Sequence, residues 1–141
     1  MTEVEEARAT RIAIVVDDSL PPGLAANAAA MVALTLGATM PELMGDDLVD
    51  ADGELHPGLI PQGVPILRAP RAELGRLRAR AIAAGIEVID FPTFGQQTTD
   101  YDEVIHQVAA TPVTELEYLA IALRGAQRPV RKVTGSLALL R

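Results

Sequence analysis

The sequence predicts an α/β domain built on a small mixed, mostly parallel four-stranded sheet with helices on both faces. Three observations carry this. Ile12, Ala13, Ile14, Val15 and Val16 form a continuous apolar run, the pattern of a central strand covered on both sides. The run stops at Asp17-Asp18, and an Ala-rich helical stretch begins a few residues later. Beyond it, strand-like and helix-like segments alternate, an order that implies parallel pairing through right-handed crossovers.

The 141 residues suit one domain over residues 11–141, long enough to bury roughly 68–70% of the unfolded surface. Met1–Thr10 is acidic and polar, unlike a signal peptide, and is expected to be a loose tail. Aromatic residues are only 3%, so Ala, Val, Leu and Ile must fill the core. The absence of cysteine excludes disulfides, thiolate catalysis and Cys-based zinc sites. A net charge of -7 argues against nucleic acid as a partner, since phosphate binding needs a positive footprint. No apolar run approaches the ~18–20 residues of a membrane span, and a cytoplasmic location is expected.

The first helix is expected to start near Pro22 and stop before Gly37, its alanines lying close to the sheet while Met31, Leu34 and Leu36 supply bulk. Asp50-Ala51-Asp52-Gly53 reads as a hairpin turn, within a solvated acidic loop lacking the ligand order of a calcium site. Val64–Arg68 reads as a second strand. A second helix opens at Pro70 or Arg71 and ends before Gly85, with Arg71, Arg76, Arg78 and Arg80 on its solvated faces. Ile86–Phe91 is a third strand, and its polar loop opens beside Asp17-Asp18 if the strand runs parallel to the first. Thr98 or Thr99 is expected to cap a helix from about Asp100 to Ala109 with Tyr101, Val104, Ile105 and Val108 as its apolar face. The capping box Thr114-Glu115-Leu116-Glu117 predicts another helix to Arg124, and residues 129–140 a final, interrupted strand.

Motif chemistry is sparse. The two histidines, His56 and His106, lack metal-ligand spacing and read as surface or boundary residues; no metal is expected. Neither serine sits in a nucleophile elbow, and Ser19 is expected to cap the first helix. No dinucleotide or P-loop fingerprint is present, so no cofactor is expected. What remains is a polar cluster at the strand ends: Asp17, Asp18, Ser19, Asn27, Thr98 and Thr99, with Asp90 a possible addition. Open α/β sheets place ligands there, and paired carboxylates can supply an acid or base. Asn27, the one strongly polar side chain early in an apolar helix, either faces that pocket or serves the turn and solvent.

Ile12–Asp18 with Leu20–Gly37 (LPPGLAANAAAMVALTLG), Glu117–Ala122 and the closing VRKVTGSLALLR resemble an uncharacterised bacterial family, the domain of unknown function two thousand. That family is similar in fold to peptidyl-tRNA hydrolase II, which implies a small mixed sheet, helices on both faces and a homodimer. By this resemblance Asn27 matches the amide of the hydrolase's Ala-rich helix, and Thr98 or Thr99 its threonine segment. The hydrolase's lysine-bearing turn is here Leu20-Pro21-Pro22-Gly23-Leu24, without lysine. The expected function is binding of, or action on, a small metabolite at the strand ends. A divergent peptidyl-tRNA esterase and a dimeric interaction module are the alternatives.

Overall fold

In the computed structural model the described residues are Thr2 and 9–141, so most of the expected tail lies outside them. The leading apolar run forms β1 (Thr10–Asp17), buried from Ile12 to Asp17. α1 (Pro22–Thr39) follows, with Pro22 at the first turn, where a missing N–H costs nothing. It does not stop before Gly37. One glycine costs a helix only about 0.5–1 kcal/mol, and Thr39 helps close the last turn by donating to the Leu36 carbonyl at 2.7 Å.

The predicted hairpin forms from β2 (Leu48–Val49) and β3 (Leu55–His56), with Gly53 at φ 82°. The Asp50 carboxylate holds the turn by accepting from the Asp52 and Glu54 amides and meeting His56 Nε2 at 2.9 Å. β4 (Ile66–Ala69), α2 (Arg71–Ala83) and β5 (Glu87–Pro92) fall close to their predicted places. A one-turn helix, α3 (Phe94–Gln97), precedes α4 (Tyr101–Ala109). The cap of α4 is Asp100, whose carboxylate accepts from the Asp102 amide at 3.0 Å, and neither Thr98 nor Thr99 takes that role.

The carboxyl-terminal third departs most from expectation. The capping box yields only a 3-10 turn, Val113–Glu115, and the stretch read as a helix is the longest strand, β6 (Tyr118–Ala126). Its Tyr-Leu-Ala-Ile-Ala-Leu run is apolar on both faces, and a fully buried strand cannot be told from a buried helix by periodicity. The expected final strand is instead α5 (Gln127–Thr134), which buries Val130, Val133 and Thr134 at helical spacing. After it the chain makes one bridge, Leu139 to Leu67, along the outer side of β4.

The four-stranded sheet has the order β4-β1-β6-β5. β1 is parallel to β4 and antiparallel to β6, and β5 is antiparallel to β6. One adjacent pair is parallel and the other two are antiparallel, so the sheet is mixed as expected, but mostly antiparallel rather than mostly parallel. Because β6 alone runs backwards, the carboxyl ends of β1, β4 and β5 still share one edge of the molecule.

Alternation along β1 assigns its side chains to two cores. Ile12, Ile14 and Val16 pack beneath α1, together with Phe91 and Leu119. Ala13 and Val15 pack beneath α2 and α5, together with Leu74, Leu77, Ile121 and Val130. α1 buries only the stripe Ala25, Ala28, Val32 and Leu36. Met31 and Leu34, expected to fill the core, are 45% and 72% exposed. At 18 residues and a mean hydropathy of 1.3, α1 also reaches the length and apolarity of a membrane span, contrary to the sequence expectation, although its small-residue stripe lies on the sheet.

Candidate functional site

The expected convergence of Asp17, Asp18, Ser19, Asn27, Thr98 and Thr99 on one hollow does not occur. The sheet divides them. Asp17 follows Ala13 and Val15 in the alternation and therefore points to the α2 side. Its carboxylate is fully buried, accepting from the Ser19 amide at 2.9 Å, the Ser19 hydroxyl at 2.7 Å and Arg71 Nε. Burial pushes this carboxyl up, but the two Ser19 hydrogen bonds and the Arg71 guanidinium together outweigh it and hold the pKa below the ordinary value. Ser19 thus serves Asp17 rather than capping α1, which begins after Pro21 with no side-chain cap. Asp18 is exposed, and its amide donates to the Ala69 carbonyl at 3.0 Å, tying the turn to β4.

Asp90 is likewise committed elsewhere. Its carboxylate accepts from Arg78 Nε at 2.8 Å, and the same guanidinium lies 5.7 Å from the ring centroid of buried Tyr118. Burial raises the Tyr118 hydroxyl above its usual pKa, with the Arg78 charge opposing. Arg71 and Arg78, expected on a solvated face, instead neutralise the two carboxylates beside α2.

Asn27, Thr98 and Thr99 do come together, on the other side. They line a groove of about 780 Å³ between α1, β5 and α4. Asn27, Met31 and Thr35 form one wall because they stand four residues apart on one helix face. Ile89, Asp90, Phe91 and Pro92 of the edge strand β5 form the floor, the Asp90 carboxylate being engaged by Arg78. Tyr101, Val104, Ile105 and Val108 form the opposite wall. These last four were predicted as a packing face, yet no residue of α4 is buried. The helix presents its apolar stripe to open space rather than to the sheet.

Gly95 lets the α3 turn descend onto the floor: a Cβ there would stand 2.3 Å from Phe91 Cε2. Among the described residues the Asn27 side chain has no hydrogen-bond partner, and its amide is solvent-accessible. The Thr98 hydroxyl accepts from the Asp100 amide at 3.0 Å and meets Glu103 Oε2 at 3.2 Å. Among the described residues no lysine, arginine or histidine lines the groove. Thr35 went unnoticed in the sequence; its distance of two helical turns from Asn27 is the signal that finds it. The groove can therefore take an apolar body and offer an amide and hydroxyls at its rim, but it holds no paired acid and base.

Among curated proteins none matches the chain. A solved protein of unknown function from Agrobacterium tumefaciens is similar over 93% of this chain and 97% of its own, with a TM-score of 0.85 at 19% identity. That likeness shows a shared fold. The family model described as "Protein of unknown function (DUF2000)" matches residues 10–141. With the four-stranded sheet and all the described helices inside the match, the chain belongs to the DUF2000 family.

Proposed function

We propose that this protein binds a small, largely apolar metabolite in the groove between α1, β5 and α4, with Asn27 orienting the ligand's polar group. The observation that carries the reading is the amphipathic α4, whose apolar stripe faces about 780 Å³ of open volume instead of the core. Ligand sites in general have this size and this mix of apolar wall and few polar groups. The mixed four-stranded sheet with helices on both faces also supports assigning the fold to the peptidyl-tRNA hydrolase II type. A divergent esterase on peptidyl-tRNA draws less support, since a groove without basic side chains has nothing to hold a phosphate backbone.

The test uses the neutral dye Nile red as a stand-in for an apolar ligand. Its fluorescence should rise on binding the folded protein and fall in Ile105→Asp, which sets a charge in the wall without touching the core. Absence of enhancement, or enhancement unchanged in Ile105→Asp, rejects the reading. A metabolite panel screened by thermal shift then identifies the ligand class, because a compound at 100 times its Kd stabilises by about 2.7 kcal/mol.

A homodimer is the second reading, favoured by the exposure of Leu34 and Met31 on α1 and Ile105 on α4. Sedimentation equilibrium separates the two: a dimer lost in Leu34→Lys points to a second copy over α1.

A further inference from the structure

The amino end of β1 carries a second feature, independent of the groove. A hollow of about 490 Å³ lies between the start of β1, residues 62–65 and the first turns of α5. Among the described residues its wall contains Arg11, Arg131, Gln62 and Gln127, and no carboxylate. Gln127 and Arg131 stand four residues apart and so share one face of α5. The Pro65 carbonyl accepts from the Ile14 amide at 3.0 Å, which holds the 62–65 segment alongside β1.

Two side-chain donors in this wall lack acceptors. Arg11 Nε and Gln62 Nε2 are buried, and neither has a hydrogen-bond partner among the described residues. Buried donors are almost always paired, so two orphans beside one hollow mark a place where the described residues supply no acceptor. The charge pattern agrees. With 19 acidic and 12 basic residues the protein has carboxylates to spare, and Arg71, Arg76, Arg78 and Arg124 are each paired with one. Among the described residues Arg11 and Arg131 have no carboxylate partner, as is also true of Arg68, Arg80, Arg128, Lys132 and Arg141, so what sets the pair apart is that both line one hollow. The neighbouring hollow on the other flank of α5 adds Arg80, Arg128 and Lys132, again with no carboxylate among the described residues of its wall.

We infer that this hollow is a binding site for an oxyanion, either a phosphate or a carboxylate carried by a small molecule, held between the Arg11 and Arg131 guanidiniums with the Gln62 amide as a third donor. Both groups offer several acceptor oxygens, and a guanidinium fork matches either one. The site sits at the opposite end of β1 from Asp17, so it stands whether or not the groove binds a metabolite.

The experiment is a titration of the full chain with sodium phosphate, sodium acetate and sodium chloride at matched ionic strength, followed by nitrogen-15 NMR. Saturable shifts of the Arg11 Nε–H and Gln62 side-chain amide signals are expected with phosphate, acetate or both, and not with chloride. The stronger of the two names the ligand class. Arg131→Gln, on the exposed face of α5, should weaken the oxyanion by about tenfold or more, the worth of one charged hydrogen bond. Arg11→Gln should do the same; if that strand variant unfolds, Arg131→Gln alone decides. Shifts that fail to saturate, that chloride reproduces, or that persist unchanged in Arg131→Gln overturn the site.

Discussion

On the face of the sheet covered by α2 and α5, each carboxylate at the strand ends has found a partner: Asp17 with Ser19 and Arg71, Asp90 with Arg78. On the face covered by α1, the same end of the sheet carries an unpaired amide, an exposed apolar helix stripe and an open groove. The residue types that most resemble catalytic groups therefore lie on the filled side, where they hold the fold together. The unfilled side looks unremarkable in sequence, yet at this end of the sheet it is the side left open to a ligand. A buried charge with complete hydrogen bonding is committed to structure; an apolar surface left without a packing partner is available for a ligand.

Arg71→Met attacks the filled side and should have the largest effect. It leaves the Asp17 carboxylate buried with only Ser19 to hold it. Because the guanidinium is itself 38% exposed, the cost should fall somewhat below that of breaking a fully buried pair, about 2–3 kcal/mol by urea unfolding at pH 7. The pH dependence follows from the sign of the shift. The folded Asp17 pKa lies below its ordinary value of 3.8, so its stabilisation is complete above that value and is lost as pH falls through the folded one. Without Arg71, burial is opposed by less and the folded pKa rises. The acid-unfolding midpoint of Arg71→Met, followed by circular dichroism, should move to higher pH. An unchanged midpoint would remove the claim that this pair is structural.

Gly95→Ala probes the boundary between the two behaviours. The new methyl meets the Phe91 ring, which is part of the core beneath α1, so the ring must shift at a cost of about 1–2 kcal/mol. The displaced ring should also reshape the groove floor and lower Nile red binding. Loss of stability with binding intact would separate the floor from the site.

Asn27→Ala should leave stability within about 0.5 kcal/mol, as expected of an exposed residue without partners. It should nevertheless weaken any polar metabolite found in the thermal-shift panel, while Nile red, which needs no hydrogen bond, binds as before. If both ligands are unaffected, Asn27 is an ordinary surface residue and the contrast between the faces narrows. Leu34→Lys should have the smallest effect on monomer stability, again within about 0.5 kcal/mol, since the side chain is 72% exposed. Its one large readout would be dissociation of a dimer.

The sequence by itself determined the elements whose signals are local. The apolar run of β1, the Asp-Gly hairpin turn, the helical spacing of Leu74, Leu77 and Ala81, and the strand before Pro92 all read correctly because each is specified within about ten residues. Tertiary structure decided the rest. Residues 118–123 became a central strand because a run apolar on every side satisfies either a buried helix or a buried strand, and only the vacancy between β1 and β5 selects the latter. It also decided which side each polar residue serves. β1 is apolar on both faces, so nothing in its pattern says that α1 covers Val16 while α2 covers Asp17, yet that one-residue alternation puts the aspartate and Asn27 on opposite sides of the sheet.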